Sequence, residues 1–304
     1  MNSVESYLVQ NGPSAGSRLI VLRAGEITAE VLPDRGLDIG RVWWKGVQIA
    51  WLLPQGIVGP GSISAGNDWL ANFGGGLLTT CGPENFGAPG ISDSRAYPLH
   101  GSFTNLKFEI QNQQTSENEV LVSGRATYSP LFGESWQISR TISLKSSGQV
   151  SVRDAFLNVG VVSQPILQLY HVNLGGGFLS SAVQVTSPNG ATKVTQQEEL
   201  TDSWEVFGDA HSLNLETVYL HQSEEPIWAT AHNPALSLSV RVSSDKLSNL
   251  FQWKFRRKDR FVLGLEPASS NTLEGRTKAL DSAPIVTPGQ LWEHELKVQI
   301  SETA

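Results

Sequence analysis

Several things are scarce in this sequence, and each scarcity closes off a class of protein. Of the 304 residues one is cysteine, Cys81, so no internal disulfide can form and the chain suits a reducing compartment. Basic charge is thin and scattered: 22 Lys and Arg against 29 Asp and Glu leave a net charge of −7, with no basic run or stripe. Phosphate backbones are held by clustered Lys and Arg, so nucleic acid is not an expected partner. Long apolar runs are missing, since none approaches the ~20 residues that span a bilayer, and the opening MNSVESYLVQNG has neither the basic start nor the apolar centre of an export signal. These absences predict a soluble, cytoplasmic protein with no membrane contact. Helical periodicity is nearly absent too; only Asn67 to Phe73 has room for a turn or two of helix. No linker or compositional break appears, and all-β proteins often reach such lengths as one unit, so residues 1–304 are expected to form a single domain.

What is present is strand after strand. Arg18 to Arg23 and Ile27 to Leu32 flank the turn Ala24-Gly25-Glu26, and Val120 to Tyr128, Trp136 to Leu144 and Val150 to Leu157 alternate apolar and polar residues between turn signals. That period of two marks half-buried antiparallel strands. Further candidates are Ile166 to His171, Val183 to Thr186, Ile227 to Ala231, Leu236 to Val242, Leu250 to Lys254, Phe261 to Leu265 and Leu291 to Ile300. Many short strands with Gly and Pro turns predict an all-β fold, a large antiparallel β-sandwich or partly closed barrel.

One stretch stands apart. From Gly74 to Gly90 there are six glycines and two prolines, too many for a regular strand or helix, so a shaped loop is expected there, of the kind that carries binding groups on a rigid scaffold. His100 follows on Tyr97-Pro98-Leu99, in front of Gly101, at a predicted loop-to-strand junction. His171 ends the apolar run of LQLYHVNLGGG, and Glu266 ends that of FVLGLEP. Proline cannot donate to a sheet ladder, so the last strand is expected to stop at Pro267 and leave Glu266 at the rim of the sheet. Cys81, between Thr80 and Gly82 with no histidine beside it, reads as a small packing residue.

A histidine before glycine, a histidine before a short Asn-Leu segment and a late glutamate before proline resemble the galactose mutarotase-like superfamily of aldose 1-epimerases. Within it, Leu32-Pro33-Asp34-Arg35-Gly36-Leu37-Asp38-Ile39-Gly40, Thr79-Thr80-Cys81-Gly82, His100-Gly101 and Leu265-Glu266-Pro267-Ala268, in that order, are similar to the branch labelled DUF4432, from about Ile20 to Val298. The resemblance implies a twisted antiparallel super-sandwich and one pocket lined by His100, His171 and Glu266. It implies acid/base opening and reclosure of an aldose ring, with Glu266 as base, His171 as acid, and His100 donating a hydrogen bond to the ring oxygen or a neighbouring hydroxyl. A glutamate at the end of an apolar run is expected to be desolvated, which raises its pKa, while a protonated histidine nearby lowers it and keeps it ionised near neutrality. The partner implied is a small-molecule carbohydrate, with no metal or organic cofactor required and a homodimer left open.

Sugars stack their C–H faces on aromatic rings, and of nine tryptophans Trp69, just before the glycine-rich stretch, and Trp253, on the strand preceding Glu266, are the candidates for that contact. Asn85, Asn173 and Arg35 are the candidate polar ligands; Asn271 and Arg276 also adjoin site-like turns, and Asp209 is a weaker match to the mutarotases' binding aspartate. After His-Gly, where relatives often carry arginine, this chain has Ser102, which leaves the charge of the substrate open. Two rival readings use the same residues. Two histidines and a carboxylate also make a divalent-metal site, as in sugar isomerases that move a proton between C1 and C2. A non-catalytic carbohydrate-binding protein would show the stacking platform without a coordinated acid and base.

Overall fold

The computed structural model describes residues 2–303 except 62, 93, 195–202 and 213–215. Strict alternation is clearest in Trp136–Lys145, where Trp136, Ile138, Arg140, Ile142 and Leu144 are buried and the residues between them are half-buried. Such strands can only bury one face each, and they do so by stacking two antiparallel sheets. The first sheet runs in the order Ser3–Leu8, Arg18–Ala24, Ile27–Leu32, Asp38–Trp44, Leu78–Cys81, Leu169–Leu174, Arg260–Ala268, Asn249–Arg257, Glu216–Gln222, Ala191–Lys193, with the short Val47–Gln48 paired to Asp38–Trp44. The second runs Gln184–Thr186, Trp228–Asn233, Leu238–Ser244, Leu291–Glu302, Gln149–Asn158, Trp136–Lys145, Glu119–Tyr128, Glu109–Thr115. The main core lies between them, from Ile20, Leu22 and Val31 on one side to Ile142, Val152 and Leu296 on the other. The expected all-β antiparallel sandwich is what the chain forms. Among the described residues no helix is long and apolar enough to cross a membrane.

The centre of the first sheet departs from the half-buried pattern. Leu78–Cys81 and Leu169–Leu174 are buried at every position. The reason is a second apolar cluster on the sheet's outer face, where Trp51, Ile63, Trp69, Phe73 and Phe86 come from loops and from the helix Asp68–Asn72, and Leu169, Phe251, Val262 and Ala268 come from the strands. A roof of loops therefore covers the middle of one sheet.

Three expectations need correction here. The glycine-rich stretch is not loop throughout, because Leu78–Cys81 inside it is a fully paired strand. The strand carrying His171 spans Leu169–Leu174 rather than starting at Ile166. The strand carrying Glu266 passes through Pro267 to Ala268, so Glu266 sits on the face of the sheet and not at its rim. Proline is tolerated because the ladder to Leu169–Leu174 already skips the pairs between Leu169–Ala268 and Val172–Leu265, while Leu250–Pro267 continues on the other side. Strands left out of the sequence reading are mostly polar or exposed. Glu109–Thr115 (EIQNQQT) is an edge strand with little apolar signal, and Ser3–Leu8 is the opposite sheet's edge.

Candidate active site

Alternation along the central strands decides which side chains meet. In Leu169–Leu174, Tyr170, Val172 and Leu174 enter the main core, which turns Leu169, His171 and Asn173 to the roofed outer face. In Arg260–Ala268, Leu263 and Leu265 face the core, so Val262, Gly264 and Glu266 face the roof. Continuing the register of Leu169–Ala268 and Val172–Leu265 sets His171 opposite Glu266, and their side chains approach to 3.3 Å, Nε2 to Oε1. Gly264 makes this possible. A Cβ there would lie 2.2 Å from Glu266 Oε1 and 3.1 Å from Trp253 Cβ, so the missing side chain is the space the carboxylate occupies.

His100 arrives from the roof. It lies in a turn, not at a strand junction, between Arg95–Tyr97 and the short 3₁₀ turn Phe103–Asn105. Its backbone is left-handed, with φ of 57°, and is tied at both ends: the His100 N–H donates to Gly87 O and its carbonyl accepts from Gly82 N–H. The next residue must be glycine, since at φ of 74° a Cβ on Gly101 would press on the carbonyls of Asn85 and Gly82. The His100 ring centre is 5.8 Å from that of His171. Aromatic rings complete the enclosure. Trp69 lies 4.6 Å from His100 and 5.8 Å from His171, stacks on Phe73 at 4.3 Å, and Phe73 is itself 5.1 Å from His171. Trp253 meets His171 edge-on at 5.2 Å from the other side. Five predicted residues, Glu266, His171, His100, Trp69 and Trp253, are thus brought together.

The remaining polar candidates support this cluster or stand away from it. Asn173 sits two residues from His171 on the same face, but its amide donates to the carbonyls of Gly76 and His171 and anchors the strand. Asn85 donates to the carbonyls of Ala88 and Pro98 and braces the His100 loop. Arg35 is buried, and its Nη2 donates to Asn72 O, holding the end of the helix that carries Trp69. Arg276 binds Glu84 O and Glu134 and lies over the ring of Tyr97, so it is a structural partner. Asn271 accepts from Ser282 at an exposed position, and Asp209 is exposed. Sequence reasoning missed Phe73, Gly264 and Glu216, whose Oε1 accepts from Trp253 Nε1 at 2.7 Å. A glycine two residues before Glu266 in an apolar strand was a legible signal of close approach.

Burial sets the electrostatics. It pushes the Glu266 carboxyl well above its ordinary range, and the neighbouring Glu216 carboxylate pushes the same way. Burial lowers His171 to about 3, helped by His100 and opposed by the Asn173 side chain, and lowers His100 to about 4. The directions run against the expected ionised glutamate beside a histidinium. Burial thus disfavours both charged forms, the carboxylate of Glu266 and the imidazolium of His171. The 3.3 Å contact is close but poorly directed, and Glu266 Oε1 has no hydrogen-bond partner. His171 Nδ1, His100 Nδ1 and Trp69 Nε1 are likewise buried and unpartnered. Cys81 is buried in the outer cluster with its thiol pushed well up, first by burial and then by Glu266, which fits packing and not nucleophilic chemistry.

A family model described as a domain of unknown function, DUF4432, matches residues 14–300. The chain belongs to the DUF4432 family. Among solved structures, this DUF4432 protein is similar to a candidate aldose 1-epimerase from Klebsiella pneumoniae, at a TM-score of 0.85 and 20% identity over 99% of this chain and 84% of that one. It is also similar to the Slr1438 protein of Synechocystis sp. PCC 6803, at 0.73 and 18% over 97% and 99%. A galactose mutarotase-like protein from Clostridium acetobutylicum follows at 0.69 and 14%, over 99% of both chains. At these identities the likeness is one of fold. A search of curated proteins finds no match.

Proposed function

We propose that this DUF4432 protein is an aldose 1-epimerase-like enzyme that interconverts the anomers of a sugar by acid/base ring opening. The observation that carries this reading is the set of unpartnered buried polar atoms, Glu266 Oε1, His171 Nδ1, His100 Nδ1 and Trp69 Nε1, in one aromatic-walled enclosure. Buried polar groups are almost always hydrogen-bonded, so a cluster of orphans supports the binding of a polyhydroxylated ligand there. Trp69 and Trp253 offer faces for its C–H surface.

The chemistry needs one proton removed from the anomeric hydroxyl and one given to the ring oxygen. In this mechanism Glu266 and His171 share one proton, which burial favours on the carboxyl. The protonated carboxyl then gives its proton to the ring oxygen while the neutral imidazole takes the one on O1. Ring closure after rotation about C1–C2 reverses both transfers, so a single shared proton serves either starting assignment. His100 and Trp69 N–H groups are available to the hydroxyls. A metal-dependent isomerase would gather three donors about one point and lose its activity on chelation. NMR exchange spectroscopy on a panel of free aldoses, ketoses and sugar phosphates tests it: accelerated anomer exchange for at least one aldose, surviving chelation, is the expected result. Exchange of C1 and C2 protons that is lost on chelation would overturn it.

A further inference from the structure

The charge around this enclosure bears on which sugars it admits. Among the described residues, no Lys or Arg acts on Glu266 or His171; the titratable neighbours are Glu216 for the one and His100 for the other. Of the arginines that adjoin the site in sequence, Arg276 is committed to Glu84 O and Glu134, and Arg35 donates from Nη2 to Asn72 O while its Nη1 is buried without a partner. Ser102, after the His-Gly pair, pairs with buried Glu84. Glu216 opens its strand on the same face as Val218 and Leu220, which belong to the outer cluster. It is exposed while Glu266 and His171 are buried, so it stands on the solvent side of them. Its carboxylate is fixed by the Trp253 indole N–H at 2.7 Å, and the Trp253 ring in turn lies 5.2 Å from the His171 ring.

We propose that Glu216, held by Trp253 at the entrance, is a specificity determinant that restricts the site to sugars carrying no negative charge. This rests on the carbohydrate reading of the site. A phosphoryl or carboxylate group entering beside Glu216 meets a fixed carboxylate. Unit charges a few ångströms apart near a protein surface cost about tenfold in affinity or more.

The test measures binding by ligand-observed NMR for matched pairs, a free hexose with its 6-phosphate and its uronic acid. Wild type is compared with Glu216→Gln, which keeps an acceptor for Trp253, and with Glu216→Lys. Wild type is expected to favour the free sugar by about tenfold or more, Gln to shrink that gap by about tenfold, and Lys to invert it, with added salt narrowing the wild-type gap. Equal binding of both members by wild type, or a gap that Glu216→Gln leaves unchanged, overturns the proposal while the carbohydrate reading stands. If no sugar of either kind binds, both fall. Unfolding midpoints within the normal range for both variants exclude a folding defect as the cause.

Discussion

Tyr170 and His171 are adjacent on one strand, as are Thr79 and Thr80 on its neighbour, yet they belong to two different chemical worlds. On the core side, Tyr170 donates to Asp154 Oδ2 and contacts His294, and Arg140 donates in bidentate fashion to Asp154 and reaches Asp38, Thr80 and Gly36 O. This network bridges the two sheets, and of its side chains only His294 Nδ1 lacks a partner. On the roofed side, His171, His100, Glu266 and Trp69 each keep a buried polar atom with no partner. Arg140 holds Asp154 below the ordinary carboxylate range although burial alone would raise it, whereas nothing offsets burial at Glu266. The difference separates structure from the function proposed: one buried set is closed on itself save for a single imidazole nitrogen, and in the other every member keeps an unpartnered atom, as a ligand site would.

The comparison breaks most sharply at Glu266. Glu266→Gln keeps shape and removes the transferable proton, so turnover is expected to fall by roughly 10² to 10⁴, the usual worth of a positioned acid or base, while sugar binding weakens much less. Stability should move the other way. A carboxyl whose pKa is raised by folding contributes stability below its unfolded value near 4.5 and loses it as pH rises toward the folded value, so at neutral pH the Gln variant unfolds at a higher temperature than wild type, and at pH 4 the gain vanishes. A Gln variant with full turnover, or one less stable at pH 7, would return Glu266 to a structural role.

On the core side the same deletion logic predicts the reverse. Arg140→Met leaves Asp154 and Asp38 buried without their counter-charge, at a cost of about 3–5 kcal/mol in denaturant unfolding. A loss below about 1 kcal/mol would mean that the network is not closed in the way its geometry indicates.

Acid should affect the two histidines of the site before it touches the catalytic proton. Folding lowers His171 from 6.5 to about 3 and His100 to about 4, so the unfolded chain binds protons that the native one refuses. Their contribution to stability is complete above pH 6.5 and is lost as pH falls through the window down to 3–4. At pH 5 each accounts for roughly 2 kcal/mol. His171→Gln should flatten the acid limb of a stability-versus-pH curve by about that amount, and an unchanged limb would refute the buried neutral state.

How much of this was legible in the sequence follows from which signals are local. Period-two alternation found seven of the eight strands of the second sheet but only five of the eleven in the first, and the resemblance carried by the motifs around His100, His171 and Glu266 implied one cluster. What failed was non-local. Pro267 reads as a strand end until one sees that the ladder beside it is already open. Leu78–Cys81 reads as loop because glycines surround it and because a strand buried on both faces shows no alternation. The raised pKa of Glu266 depends on how dry the roof makes the site, and Asn85, Asn173 and Arg35 each donate to a backbone carbonyl that only the fold supplies while keeping one buried polar atom without a partner. Glu216 lies far from the other site residues in sequence and has no motif of its own.

The smallest effect tests the boundary between the two sides. Cys81 shares the outer face with Glu266 and lies near enough for the carboxylate to raise its thiol, so position alone would make it a site residue. Its environment says otherwise: the side chain is fully buried, and a thiol held in its protonated form in an apolar cluster is a poor nucleophile. Replacing it with alanine removes one buried sulfur from a tightly packed cluster, which should lower stability by about 1 kcal/mol. Turnover should change by less than about threefold, and the wild-type thiol should resist alkylation until the protein unfolds. If Cys81→Ala folded normally but lost turnover by 10² or more, the thiol would belong with His171 and Glu266, and the proton shared by that pair would have to be assigned among three groups instead of two.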